Sequence, residues 1–62
     1  MKIYPENRFR TEKSAAACAA RCEAIPGEDC VYKVVPNGKS FLVGCYDPKT
    51  NELECWMDRT AS

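Results

Sequence analysis

The dipeptide Asn37-Gly38 separates two alternating runs, CVYKVV at residues 30–35 and KSFLVGCY at residues 39–46. Asn-Gly between such runs is the strongest short signal for a two-residue hairpin turn, because both residues tolerate positive φ. Counting outward from that turn, Val34 is expected opposite Phe41, Tyr32 opposite Val43 and Cys30 opposite Cys45. One face of the ribbon then carries Cys30, Tyr32, Val34, Phe41, Val43 and Cys45. The other carries Val31, Lys33, Val35, Leu42, Gly44 and Tyr46. A third strand over residues 52–57 is expected to return through DPKTN, where Pro48 starts a turn and Asn51 suits the left-handed position. With Tyr46 opposite Leu53, an unbroken register puts Glu52, Glu54 and Trp56 on the helix side and Leu53, Cys55 and Met57 on the uncovered side. A one-residue bulge would instead turn Leu53, Cys55 and Met57 beneath the helix. The residues alone leave both registers open.

Ahead of the hairpin, TEKSAAACAARCEAIPG carries consistent helix signals: Thr11 or Ser14 as cap, Glu12 in the first turn, a run of alanines, and Pro26-Gly27 as a stop. At about 100° per residue, Ala15, Cys18, Cys22 and Ile25 share one face. That stripe is small-sided, which suits a helix lying close to a sheet. The expected architecture is α+β: one short helix on a three-stranded antiparallel meander, with room for a short N-terminal edge strand over residues 2–4. Residues 1–62 are expected to form one small domain, with residues 58–62 as a frayed tail. At 45% hydrophobic and 29% charged residues, the composition is that of a folded chain.

Five cysteines in 62 residues raise the question of what sulfur does here. The helix face with Cys18 and Cys22 should cover the hairpin face with Cys30 and Cys45, so four thiols are expected to meet in one layer as structural thiols. Three chemistries fit that layer. Zinc accepts four thiolates, although only Cys18 and Cys22 approach the usual paired spacing. Reduced thiols can also serve as small core residues, and free cysteine is among the most buried residue types. This reading is preferred, given the odd number of cysteines and the surplus Cys55. The third chemistry is disulfide bonding. The cysteine pattern of CAARCEAIPGEDCVY and GCY, over roughly residues 14–46, resembles the framework of PAN/apple modules. That resemblance implies a secreted domain recognising protein or carbohydrate, with Cys18 and Cys22 each bridged to Cys30 or Cys45.

Without histidine, the Ser-His-Asp and Cys-His machineries are absent. There is no glycine-rich phosphate loop, and Glu52 and Glu54 read as a solvated strand face. An enzyme is therefore not expected, nor is a metal or other cofactor. Residues 1–22 hold five bases against two acids, and the remainder holds four bases against seven acids. This bipolar pattern suits steering of a partner, whereas a dedicated nucleic-acid binder would carry a larger basic excess with interleaved aromatics. Nucleic-acid binding through Lys2, Arg8, Arg10 and Lys13 is kept as a minor option. No apolar stretch resembles a signal peptide or a membrane span, so a cytosolic chain without membrane contact is expected.

The expected task is protein binding by occluding a site on a larger protein, as an inhibitor or adaptor. Small inhibitors encoded by phages or mobile elements, anti-CRISPR proteins among them, are one class with this build. The expected contact residues are Tyr46, Asp47, Glu52, Leu53, Glu54, Trp56 and Asp58, with homodimerisation through the uncovered sheet face as a further option. The alternative is the secreted, disulfide-stapled recognition module.

Overall fold

A computed structural model describes residues 2–27 and 29–59. Helix α1 (Glu12–Glu23) begins where Thr11 leaves extended backbone, its Oγ1 accepting the Ser14 N–H at 3.1 Å. Glu12 in the first turn and Arg21 in the last complement the helix dipole. The helix stops before Pro26, and Gly27 takes φ +85°, a left-handed value that a side chain would strain. Ile25 was expected on the buried stripe. It lies beyond the last helical turn and is 41% exposed, so Ala15, Cys18, Ala19 and Cys22 form the buried face.

Three antiparallel strands follow, β1 (Val31–Asn37), β2 (Ser40–Tyr46) and β3 (Leu53–Trp56), in the order β1-β2-β3. The helix packs on one face of this sheet and touches β1 and β2. The hairpin register differs from expectation by two residues: Val34 pairs with Val43, Tyr32 with Cys45, and Asn37 with Ser40. The cause lies in the turn. Only Gly38 takes positive φ, at +62°, so Gly38 and Lys39 are the central residues while Asn37 joins the ladder. The Ser40 hydroxyl closes the turn on the Asn37 carbonyl at 3.0 Å. A slide of two residues preserves which side chains share a face, because strand periodicity is two. It does remove Cys30 from its place opposite Cys45; Cys30 lies just ahead of β1.

Residues 2–4 do not form the anticipated edge strand. Pro5–Asn7 instead forms a single 3₁₀ turn, and Phe9 makes an antiparallel bridge to Phe41 with reciprocal hydrogen bonds of 2.8 and 2.9 Å. The core comprises Phe9, Ala15, Cys18, Ala19, Cys22, Tyr32, Val43 and Cys45, with Cys30, Val34, Phe41 and Met57 at its margin. Of the expected tail, residues 60–62 lie outside the described residues. Arg59 is held by its N–H, which donates to the Glu6 carbonyl at 2.9 Å.

Asn7 is the one buried polar side chain among the described residues. Its Oδ1 accepts the Tyr4 N–H at 2.9 Å, while its Nδ2 donates toward the Trp56 and Met57 carbonyls at 3.4 and 3.2 Å. Asn7→Asp keeps the acceptor but sets a carboxylate against two carbonyls. A loss of about 1–3 kcal/mol in urea unfolding is expected. An unchanged midpoint would show that this clasp contributes nothing.

Candidate functional site

Strand β3 decides where the functional side chains point. Tyr46 pairs with Leu53, but Cys45 pairs with Cys55 and Gly44 with Trp56, so the register steps by one between Cys45 and Tyr46. This is a β-bulge, in which two residues on one strand oppose a single residue on the other. Glu54 and Cys55 both stand against Cys45, on the helix side. Leu53 stays on the open side with Tyr46 and Gly44, and Trp56 joins it there. The unbroken register is therefore corrected for Cys55, Trp56 and Met57, and the fully flipped alternative is corrected for Leu53. The Met57 N–H donates to the Val43 carbonyl at 2.8 Å, drawing Met57 to the core margin.

On the helix side a cluster is drawn from three segments, and the bulge turns Cys55 toward it. The Cys30 and Cys45 sulfurs and a Glu54 carboxylate oxygen lie within 4.8 Å of one another. The Cys30 thiol donates to Glu54 Oε2 at 3.9 Å. Access is graded, since Cys45 is buried, Cys30 half-buried and Cys55 exposed. Cys18 and Cys22 are buried in the core, and none of the five cysteines is joined in a disulfide. Burial, reinforced by the neighbouring Cys30 and Cys55 thiols, pushes the Cys45 thiol from 9.0 up to about 12.

Such a raised value has a consequence for stability. Between about pH 9 and 12 the folded, metal-free chain keeps a proton that the unfolded chain has released, so stability falls as pH rises through that window. The contribution is complete below the lower limit. Urea unfolding of the reduced protein should show a loss approaching about 1.4 kcal/mol per pH unit from this group. The slope should be shallower in Cys45→Val, and equal slopes would contradict the assignment.

The open face carries its own small apolar cluster. Leu42, 2% exposed, is fully enclosed there, outside the helix-side core. Tyr46 folds back across Gly44, where an added Cβ would sit 2.7 Å from the tyrosine ring and 3.0 Å from Leu53. The Lys33 ammonium lies 4.8 Å from the centre of that ring. Val35, Leu53 and Trp56 are half-buried, and Val31 is 37% exposed. Trp56 Nε1 is buried without a hydrogen-bond partner, an uncommon condition for an indole N–H.

Of the expected contact residues, Tyr46, Leu53 and Trp56 thus share one surface. Asp47 and Glu52 flank it at the β2–β3 turn, where the Asp47 N–H donates to the Glu52 carbonyl at 3.0 Å. Glu54 points to the thiols instead, on the helix side that its parity with Leu53 assigns. Asp58 follows β3 and is half-buried.

Across the molecule, a cleft of about 610 Å³ is lined by Arg8, Arg10, Arg21 and Arg59 beside Thr11 and Ser14. The Arg59 guanidinium donates to the Arg8 carbonyl at 3.5 Å across this cleft. Lys2 stands apart, 5.4 Å from the Tyr4 ring centre, and Lys13 does not line the cleft. The four basic residues singled out from the sequence therefore do not form one patch. Arg21 and Arg59 could not be placed beside Arg8 and Arg10 without the fold.

No helix among the described residues is long and apolar enough to cross a membrane. Comparison with protein-family models, curated proteins and solved structures finds no match for this chain.

Proposed function

We propose that this chain is a non-enzymatic binding module that works in the cytosol by covering a site on a larger protein, through the face formed by Tyr46, Leu53 and Trp56. The observation that supports the reading is the pairing of one helix with a sheet of two faces, which leaves an apolar cluster with no second layer over it. Tyrosine and tryptophan are the residue types that anchor interfaces. Asp47 and Glu52 at the rim suit a target whose site is basic, including a groove that otherwise receives nucleic acid. Inhibitors from phages and mobile elements use this strategy.

The test is in-cell photo-crosslinking in the source organism, with the reactive residue placed at position 53 or, for comparison, at position 17 in the arginine cleft. The expected result is a discrete adduct with a larger protein from position 53, abolished by combined Asp47→Lys and Glu52→Lys. An adduct of twice the chain's own mass, an adduct from position 17 alone, or none from either position would overturn the reading.

A further inference from the structure

The thiol cluster at the bulge has a composition and geometry that packing alone does not explain. Small core residues need neither a carboxylate nor an exposed edge, yet Glu54 is brought to within 3.9 Å of the Cys30 sulfur at the rim of the core. We propose that Cys30, Cys45 and Glu54 bind a thiophilic divalent cation of the zinc type, with the Cys55 thiol as the fourth donor. The site is independent of the binding face on the other side of the sheet.

Distances support this assignment. Zinc holds sulfur at about 2.3 Å and carboxylate oxygen at about 2.0–2.2 Å in tetrahedral sites. Those bond lengths require sulfur atoms about 3.8 Å apart, and sulfur and oxygen about 3.6 Å apart. The three donors already lie within 4.8 Å of one another, and the Cys30–Glu54 separation is 3.9 Å. Closing the remaining gap takes side-chain rotation of half-buried or exposed residues. Cys55 is paired directly with Cys45 in the ladder and is exposed, so its thiol is free to turn inward.

The donor set indicates the metal class. Three sulfurs with one carboxylate suit zinc, cobalt or cadmium, whereas magnesium and calcium require oxygen ligands throughout. Access is graded from buried Cys45 to exposed Cys55, so an ion has an entry path. Cys18 and Cys22, the only closely spaced cysteine pair in the chain, lie deeper in the core and outside this donor set.

The test titrates the full reduced chain with Co²⁺ under anaerobic conditions. One equivalent should give a thiolate-to-cobalt charge-transfer band and the visible spectrum of tetrahedral cobalt, both abolished by added Zn²⁺. Cys30→Ser and Glu54→Gln should each weaken Co²⁺ binding about tenfold or more, since even residues supporting a ligand matter on that scale. Both positions lie outside the closed core, and circular dichroism of each variant confirms folding. Cys22→Ala should leave the spectrum and the affinity unchanged. Absence of a tetrahedral spectrum at one equivalent, undiminished affinity in Cys30→Ser, or equal loss in Cys22→Ala would overturn the assignment.

Discussion

Phe9→Ala should remove a large share of the stability of the fold and shift its urea midpoint strongly downward. The side chain is 5% exposed and belongs to the central cluster with Tyr32, Val43 and Cys45. Truncating a buried phenylalanine costs about 3–5 kcal/mol, through lost transfer energy and the cavity left behind. A 62-residue domain has about 3–9 kcal/mol of stability in total. The substitution thus removes between about a third and all of that stability. It also loosens the bridge to Phe41 with its two backbone hydrogen bonds. Near- and far-UV circular dichroism in a urea series would measure the effect. A midpoint close to that of the parent chain would mean that the N-terminal segment is only draped on the sheet.

Ala15→Leu is expected to be the second most damaging change, for the opposite reason. Ala15 and Cys18 are wholly buried where α1 meets β1 and β2, so the backbones approach closely over small side chains. Interiors are packed at crystal-like density, and three added carbons must push the helix outward or take strained rotamers. The expected cost is about 1–3 kcal/mol, or roughly 4–8 °C in Tm for each kcal/mol in a domain of this size. Ala16→Leu, one position along on the exposed face, serves as the control and should be close to neutral. Equal tolerance at both positions would show that the helix does not approach the sheet closely.

These two positions also show how far the sequence can be read. Ala15 was legible because α-helical periodicity places it with Cys18 and Cys22, and because Thr11, Glu12 and Pro26 mark the helix ends by local chemistry. The meander was legible for the same kind of reason: alternation assigns each hairpin residue to a face, and a two-residue slide leaves that assignment intact. Phe9 was not legible. It follows Pro5 and Asn7 in a stretch without periodicity, and its burial comes from Phe41, 32 positions away in the chain. Ile25 was assigned to the buried face because a periodic count does not know where a helix frays. The hairpin turn was placed one residue early because Asn37 tolerates positive φ but, in this fold, does not adopt it.

The candidate sites divide along similar lines. Tyr46 and Leu53 were assigned correctly to one surface because the DPKTN turn fixes their pairing. Parity with Leu53 already put Glu54 on the helix side, but Cys55 beside Cys45 could not be deduced, since one extra residue in a ladder changes every face beyond it and carries no glycine or proline here to announce it. That the carboxylate reaches the Cys30 and Cys45 sulfurs became visible only in three dimensions. The arginine cleft likewise joins Arg8 and Arg10 to Arg59 from the far end of the chain.

The open binding face, through Trp56, and the fourth donor of the thiol-carboxylate cluster, Cys55, depend on that single bulge, and cross-strand nuclear Overhauser effects test it directly. Backbone groups of Val43 bond toward β3, which makes Gly44–Trp56 and Tyr46–Leu53 the non-hydrogen-bonded pairs, where opposing α-protons approach closely. Strong α-proton contacts are expected between Gly44 and Trp56 and between Tyr46 and Leu53 in the same spectrum, a combination that requires one extra residue in β3. A contact between Gly44 and Cys55 in place of Gly44 and Trp56 would mean an unbroken ladder, and would contradict the placement of Cys55 in the donor set and of Trp56 on the binding face.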